Sequence, residues 1–159
     1  MIDLTNVDIS NIKQKLGSEL AIEEDIDFAT VEDVKLTSPV SIKLHLINRG
    51  QVVRITGTLK GEVLLQCSRC LESFNYKLER DFETELCEEK HEIKSERLEL
   101  KRKDLEKTFY HGDNVNLIDE IRQQIILSLP MKQICKKDCL GLCSNCGVNL
   151  NKTICNCSK

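Results

Sequence analysis

The stretch CLGLCSNCGVNLNKTICNC, residues 139–157, places five of the chain's nine cysteines within nineteen residues. The other four are Cys67 and Cys70 in CSRC, the isolated Cys87, and Cys135 in CKKDC. Thiols at this density can form disulfides, hold an iron–sulfur cluster, or bind a metal ion as thiolates. The spacing of the cysteines and the rest of the chain decide among these three chemistries.

Disulfides fit the sequence poorly. The first ten residues, MIDLTNVDIS, are acidic where a secretory signal has a basic segment followed by an apolar one. No apolar run approaches the roughly 20 residues that cross a bilayer. We therefore expect a cytoplasmic protein, and a reducing compartment favours metal ligation over disulfides. Nine cysteines also leave one thiol unpaired in any scheme made of disulfides alone.

The spacing Cys139-x3-Cys143-x2-Cys146 is that of the iron–sulfur cluster in radical-generating enzymes. Such an enzyme needs a large α/β barrel after the motif to hold its cofactor and substrate. Only thirteen residues follow Cys146, and no alternation of strands and helices precedes Cys139. We therefore expect no cluster of this kind. A single iron ion held by four thiolates stays open as an alternative to zinc, because both metals bind that ligand set.

Eight of the nine cysteines form two sets of four when Cys87 is set aside. A C-x2-C turn presents two thiolates on one side of a tetrahedral ion, and in CSNCG the following Gly147 can adopt positive φ. The predicted ligands are Cys143, Cys146, Cys155 and Cys157 for one zinc ion and Cys67, Cys70, Cys135 and Cys139 for a second. Cys87 is predicted to be a small packed residue near the end of a strand.

Sites made of four cysteines are closed and structural, so both zinc ions are predicted to stabilise the fold. Residues 131–159 contain few large apolar side chains, and structural zinc contributes on the order of 10 kcal/mol or more in zinc-finger peptides. Phosphate-binding glycine loops and Ser/His/Asp constellations are missing from the sequence. We therefore expect a protein that is not an enzyme, with no catalytic residues and no cofactor other than zinc.

The net charge of −3 gives no global attraction to nucleic acid. Residues 131–159 carry five lysines and one aspartate, a local charge of +4 before the thiols are counted. A divalent ion held by four thiolates carries about −2, so two such sites would cancel that charge. The basic segment is therefore a weak indication of RNA binding.

The sequence predicts strands on both sides of the CSRC segment, and these strands would position the thiols of Cys67 and Cys70. Apolar and polar residues alternate over residues 40–46 and, at odd positions, over residues 53–67, the period of a half-buried strand. The period resumes after CSRC at even positions over residues 74–86. Short links between these segments predict an antiparallel meander that can curve towards a barrel. Gly57 and Gly61 within the long second strand predict a bend or bulge.

Helical patterns flank the strands. Residues 9–16 predict a short helix that Gly17 ends. Residues 117–129 carry an apolar stripe at helical spacing, which predicts an amphipathic helix against the open face of the sheet. Asn116 can cap the start of that helix, and Pro130 ends it because the residue before a proline disfavours helical geometry.

The predicted fold class is therefore α+β, with a mostly antiparallel sheet packed by one amphipathic helix over residues 1–130. Within that domain, residues 88–107 hold seven acids and seven bases and are predicted to form a charged loop or linker. Residues 131–159 are predicted to form a zinc-binding cysteine module that docks on the domain.

Three segments in their order along the chain resemble the YceD family of bacteria and plastids. They are GEVLLQCSRCLESF, NLIDEIRQQIILSLPMKQIC and CLGLCSNCGVNLNKTICNC, and the resemblance covers about residues 40–157. It implies that the protein supports accumulation of large-subunit ribosomal RNA, as an assembly or stability factor rather than as an enzyme. The implied partners are ribosomal RNA, a large-subunit ribosomal protein or an assembly intermediate, with no membrane and no small-molecule substrate.

Two other functions remain open beside the one that the resemblance implies. The chain could be a zinc-ribbon adaptor protein of another complex, or a small iron or thiol redox protein. Visible absorbance in the purified protein would favour iron, whereas a colourless protein that releases metal to thiol reagents would favour zinc.

Overall fold

Most of the chain folds around one sheet. The computed structural model describes residues 3–28, 30–89 and 107–157 of the chain. The elements in chain order are β1 (Val7–Asp8), α1 (Ser10–Lys13), β2 (Glu19–Ile26), β3 (Thr30–Val31), β4 (Val34–Leu36), β5 (Val40–Asn48), β6 (Val52–Gln66), β7 (Ser73–Glu88), β8 (Lys107–Tyr110), β9 (Asn114–Val115) and α2 (Leu117–Ser128). The described strands form a seven-stranded sheet and a separate pair of β1 with β9. The sheet is mostly antiparallel, as the sequence predicts.

Strands β5, β6 and β7 form the antiparallel meander that the alternating pattern predicts. β6 pairs with β7 along its whole length, from Val52 opposite Cys87 to Gln66 opposite Ser73. Alternate residues along each strand are buried, so one face of the meander joins the core while the other faces solvent. The predicted meander is confirmed, and it places the CSRC segment at the end of the β6–β7 hairpin.

The two glycines of the long strand predict a bend or a bulge, and the bulge is wrong. The pairing runs through both glycines without an extra residue, with Gly57 opposite Phe82 and Gly61 opposite Leu78. A Cβ atom on Gly57 would lie 2.5 Å from Cζ of Phe82 and 2.8 Å from Cδ2 of Leu44. Glycine is therefore required at position 57 because the Phe82 ring packs over the backbone, and the strand pairing itself is regular.

Two strands at the edges of the sheet lie in segments for which the sequence predicts no strand. β2 pairs with β5 in antiparallel register, from Glu19 opposite Ile47 to Ile26 opposite Val40. β8 pairs with β7 in parallel, which makes the sheet mostly rather than wholly antiparallel. Among the described strands no pairing joins β2 to β8, so the sheet is an open half-barrel.

The two helices lie within the segments that carry helical patterns. α1 falls inside residues 9–16, and Gly17 follows it with a φ of 80°. α2 begins after Asn116, whose Oδ1 accepts the N–H of Ile118 at 3.0 Å. The last turn of α2 is followed by Leu129 in extended conformation, immediately before a proline.

The hydrophobic core joins inward-facing residues of the sheet to residues of α2. Leu117, Ile121 and Ile125 of α2 are at most 1% exposed and belong to the same cluster as Leu44 and Leu59 of the sheet. Neither helix that the structure describes has both the length and the apolar character needed to span a bilayer.

The segments outside this core are irregular or undescribed. In the described part of residues 131–157 the only strand-like pairing is an isolated bridge between Leu142 and Asn149. The predicted charged loop at 88–107 lies largely outside the described residues, which resume at β8. Its first residue, Glu88, is the last residue of β7.

Candidate metal centres

The CSRC segment forms the turn of the β6–β7 hairpin, residues 67–72. The N–H of Cys67 donates to the carbonyl of Glu72 at 2.9 Å, and the N–H of Leu71 donates to the carbonyl of Cys67 at 2.9 Å. Leu71 has a left-handed conformation with a φ of 59°. The turn thereby brings the thiols of Cys67 and Cys70 within 4.8 Å of each other, as a metal-binding C-x2-C turn does.

The segment after α2 brings two more thiols to this turn. Sγ of Cys139 lies 3.8 Å from Sγ of Cys67, and Sγ of Cys135 lies 3.7 Å from Sγ of Cys70. Four sulfur atoms bound about 2.3 Å from a tetrahedral ion lie about 3.8 Å from one another. These two sulfur separations therefore match a tetrahedral ion, and all four sulfur atoms of the set lie within 4.8 Å of one another.

Hydrogen bonds hold the segment after α2 against the hairpin turn. The backbone N–H and the hydroxyl of Ser68 both donate to the carbonyl of Gln133, at 2.8 and 3.0 Å. Nη1 of Arg69 donates to the carbonyl of Cys139 at 3.0 Å, and the carbonyl of Arg69 accepts the N–H of Leu142 at 3.1 Å. The first set of four thiols is thus positioned by protein contacts on both sides.

Cys143 and Cys146 form the same kind of turn further along the chain. The N–H of Cys143 donates to the carbonyl of Val148 at 2.8 Å, and the N–H of Gly147 donates to the carbonyl of Cys143 at 2.9 Å. Gly147 has a φ of 73°, in the position that Leu71 occupies in the hairpin turn. The two C-x2-C turns therefore share one hydrogen-bonding pattern and one left-handed residue after the second cysteine.

Cys155 and Cys157 complete the second set. Sγ of Cys155 lies 3.3 Å from Sγ of Cys143 and 3.5 Å from Sγ of Cys146. All four sulfur atoms lie within 4.8 Å of one another. A divalent ion in either set would have four thiolate ligands, which leaves no coordination position for a substrate.

The structure brings the eight cysteines together in the two predicted sets of four. We call Cys67, Cys70, Cys135 and Cys139 the hairpin group, and Cys143, Cys146, Cys155 and Cys157 the loop group. Three thiols of the hairpin group are buried, whereas none of the loop group is. The half-buried Cys87 lies in β7, outside both groups. The residues present fit a metal ion in each group, and the identity of that ion stays a prediction.

Each group combines a thiol of low pKa with one of high pKa. Burial acts to raise the pKa of Cys67, but backbone N–H donors, first that of Cys135, outweigh it and lower the pKa to about 6. Backbone N–H donors, first that of Cys146, lower the pKa of Cys143 to about 6. Burial and then the neighbouring thiols raise the pKa of Cys135 to about 12, and neighbouring thiols raise that of Cys157 to about 12. A cation bound in either group would displace the retained protons.

Contacts between the two groups involve residues that sequence reasoning did not single out. Nδ2 of Asn151 donates to Sγ of Cys139 at 3.4 Å, and its Oδ1 accepts the N–H of Leu140 at 3.0 Å. Oε1 of Glu72 accepts a hydrogen bond from Nζ of Lys152 at 2.8 Å. No local pattern marks these residues, because their partners lie in another part of the chain or in another group.

Comparison with known proteins adds a family relationship to this geometry. A family profile described as "Large ribosomal RNA subunit accumulation protein YceD" matches residues 55–159, more than half of the chain and all eight cysteines of the two groups. A curated protein of Arabidopsis thaliana named "Large ribosomal RNA subunit accumulation protein YCED homolog 1, chloroplastic" is 26% identical over 171 residues. That alignment covers 94% of this chain and 52% of the relative, so the chain spans about half the relative's length. No solved structure matches the chain.

Proposed function

This chain belongs to the YceD family, and from that premise we propose that it supports accumulation of large-subunit ribosomal RNA as a non-enzymatic assembly factor stabilised by two zinc ions. The single observation that carries the proposal is the family match over residues 55–159, which includes both cysteine groups. The names of the family and of the plant relative refer to that ribosomal RNA and to no reaction. We further propose a cytoplasmic location.

Zinc is the proposed ion because both groups consist of four thiolates. The sulfur separations of 3.7 and 3.8 Å in the hairpin group suit a tetrahedral ion of this size. Iron binds the same ligand set, so metal analysis of the reduced protein has to decide between them. Two zinc ions per chain and no visible absorbance support the proposal, whereas bound iron with visible absorbance would favour the redox alternative.

The metal ions are proposed to stabilise a module, residues 131–159, that docks on the sheet domain. The hydrogen bonds from Ser68 to Gln133 and from Arg69 to Cys139 support the docking. We also propose that α2 acts as an amphipathic cover of the sheet. Its support is the burial of Ile121 and Ile125 in the core that includes the sheet.

The basic side chains on the exposed face of the sheet already form ion pairs with acidic side chains of the protein. Lys43, Arg54 and Lys60 each lie within 3.2 Å of a glutamate on a neighbouring strand. RNA binding relies on cations that are available to phosphates, so this charge pattern favours contact with a ribosomal protein over contact with RNA at this face. Direct contact with ribosomal RNA is proposed instead for the exposed side chains of Lys132 and Lys137, which would act as individual cations because two bound ions would cancel the net charge of residues 131–159.

A deletion of the gene tests the proposed function. We expect a lower ratio of large-subunit to small-subunit ribosomal RNA and a deficit of large subunits in sucrose gradients. The unaltered gene should restore both, Cys67→Ser should fail to do so, and Cys87→Ser is the matched control because Cys87 lies outside both groups. A normal ribosomal RNA ratio in the deletion strain would overturn the proposed function.

A further inference from the structure

We propose that the two cysteine groups bind metal cooperatively, because Asn151 lies in the loop of one group and hydrogen-bonds a ligand of the other. The inference rests on the metal sites in the proposed function. It goes beyond them by assigning a positioning role to a residue that is not a ligand. It also predicts that an ion in one group raises the affinity of the other group.

The loop of residues 147–154 is bounded on both sides by cysteines of the loop group, Cys146 and Cys155. An ion bound to these cysteines would fix both ends of the loop. Between them the loop folds back on the segment that joins the two groups, since the N–H of Leu150 donates to the carbonyl of Gly141 at 2.9 Å. Metal in the loop group therefore determines where the middle of this loop lies.

The middle of the loop contacts the hairpin group through one amide. Nδ2 of Asn151 lies 3.4 Å from Sγ of Cys139, and Oδ1 of Asn151 lies 3.0 Å from the backbone nitrogen of Leu140. Asn151 is half-buried, and its own backbone N–H donates to Oδ1 of Asn149 at 3.0 Å. The side chain of Asn151 thus contacts both Cys139 of the hairpin group and the neighbouring Leu140, although Asn151 itself lies in the loop between two cysteines of the loop group.

A second tie joins the same loop to the hairpin turn. Oε1 of Glu72 accepts from Nζ of Lys152 at 2.8 Å and from Nδ2 of Asn149 at 3.4 Å. Glu72 closes the hairpin turn, since its carbonyl accepts the N–H of Cys67. The loop therefore meets the hairpin group both at a ligand sulfur and at the turn that presents two of the ligands.

The hydrogen bond from Nδ2 of Asn151 would orient the sulfur of Cys139 and donate to it as a thiolate ligand of the hairpin group. A donor beside a thiolate stabilises its charge, and hydrogen-bond partners of metal ligands typically change metal affinity about 10–100-fold. When an ion in the loop group holds Asn151 in place, the hairpin group gains part of that affinity. Linkage requires the hairpin ion to raise the affinity of the loop group by the same factor.

Metal titration of the full reduced chain measures this factor directly. Cobalt reports tetrahedral thiolate ligation by its absorbance, and competition with a chromophoric chelator gives zinc affinities. Cys146→Ser isolates the hairpin group, and Cys70→Ser isolates the loop group. The coupling factor is the product of both affinities in the unaltered chain divided by the product of the two isolated affinities. We expect a factor of about 10 or more, and a factor of one overturns the inference.

Asn151 variants test the route of the coupling with all eight cysteines intact. Asn151→Ala should retain two ions but lower the overall affinity about 10-fold and reduce the coupling factor towards one. Asn145→Ala is the matched control, because Asn145 is an exposed asparagine of the same module that donates to Sγ of Cys143 through its backbone N–H, which alanine keeps. Equal effects of the two alanine variants would overturn the role of Asn151.

Replacement by aspartate separates a role at the sulfur from a merely structural one. Asn151→Asp keeps an acceptor for the N–H of Leu140, loses the donor to Oδ1 of Asn149 as alanine also does, and places a carboxylate beside the thiolate of Cys139. If Asn151 only holds the loop in place, Asn151→Asp should lower the metal affinity less than Asn151→Ala does. If Asn151 acts on the thiolate, Asn151→Asp should lower the metal affinity more than Asn151→Ala does, because a carboxylate and a thiolate repel each other at about the 3.4 Å that separates Nδ2 of Asn151 from Sγ of Cys139. We expect aspartate to give the weaker metal binding, and the reverse order overturns the inference.

Two failures can be told apart. A chain that binds no metal ion overturns the proposed metal sites and this inference together. A chain that binds two ions with a coupling factor of one overturns the inference alone. The ribosomal RNA level in the deletion strain does not depend on either result, so the deletion experiment tests the ribosomal role separately.

Discussion

The hairpin group and the loop group begin with the same turn and end in different surroundings. In each, the N–H of the first cysteine and the N–H of the residue after the second cysteine close the turn. The hairpin group then takes its other thiols from 65 and 72 residues away, while sulfur contacts in the loop group span 9 and 12 residues. One group joins distant parts of the fold, and the other shapes a local loop.

This difference in span predicts a difference in energetic weight. A cross-link that closes a long loop removes more conformational freedom from the unfolded chain than one that closes a short loop. The hairpin group also buries three of its thiols, so losing the proposed ion would leave polar atoms in a protein interior. Identical ligand chemistry can therefore stabilise the fold to unequal extents.

The largest expected effect comes from removing one ligand of each group. Cys67→Ser should lose one ion and lower the free energy of unfolding by on the order of 4 kcal/mol, because the proposed ion would join the hairpin to the segment after α2. Cys146→Ser should also lose one ion but lower it by only roughly 1–2 kcal/mol. Urea unfolding followed by circular dichroism, with metal per chain by mass spectrometry, measures both. Equal losses of stability would remove the distinction between the groups.

Thiol-reactive reagents should release the two ions at different rates. Cys146 is exposed, whereas three ligands of the hairpin group are buried, and reactivity follows access to the thiolate. We expect release in two phases, with the loop group first and a separation of roughly 10-fold or more in rate. A zinc-sensitive dye follows release, and peptide mapping identifies the modified cysteines. Early modification of Cys67 would contradict this order.

The pH dependence of alkylation should separate two thiols with similar pKa values. In the reduced, metal-free chain Cys143 and Cys67 both have pKa values lowered to about 6 from 9.0, so both are mostly thiolate at neutral pH. Their thiolates favour the folded state above the unfolded pKa, and that contribution is lost as the pH falls through about 6.

Iodoacetamide should modify Cys143 with a midpoint near pH 6 and Cys67 more slowly, because Cys67 is 0% exposed. Mass spectrometry of quenched samples gives both rates. A midpoint near pH 9 for Cys143 would show that backbone donors do not stabilise its thiolate.

The smallest effect concerns the left-handed residue in each turn. Gly147→Leu should cost about 1–2 kcal/mol, because a side chain in this conformation meets the following carbonyl. Leu71→Gly relieves that strain but adds freedom to the unfolded chain, so we expect a change within about 0.5 kcal/mol. Thermal unfolding of the metal-loaded chain measures both substitutions. A larger loss for Leu71→Gly than for Gly147→Leu would mean that the Leu71 side chain itself stabilises the hairpin turn.

Local patterns predicted the centre of the sheet and the grouping of the thiols. Strands β5, β6 and β7 alternate clearly because one face of each is buried, and the C-x2-C spacing indicates a turn wherever it occurs. β2 alternates as well, at Leu20, Ile22 and Ile26, but its acidic residues hid the pattern. The parallel pairing of β8 with β7 has no local signal, because it depends on where the chain returns to the sheet.

The errors and omissions share a physical cause. Gly57 indicated a bulge when considered within its own strand, but the reason for glycine is the Phe82 ring on the neighbouring strand. Asn151 gave no signal because its partner Cys139 belongs to the other cysteine group. In both cases the residue type is explained by a contact with another strand or with the other cysteine group. The pattern of residues along a single segment carries no information about such contacts.

The turn of the β6–β7 hairpin has a consequence for the order in which the protein is made. Cys70 is translated 65 residues before Cys135, so a growing chain carries half of the hairpin group through the synthesis of β7 and α2. During that interval the pairing of β6 with β7 must hold its register without the complete site, since a slip of one residue would invert every side chain. Cys135 and Cys139 can therefore join the hairpin group only late in translation, after both strands of the hairpin have been made.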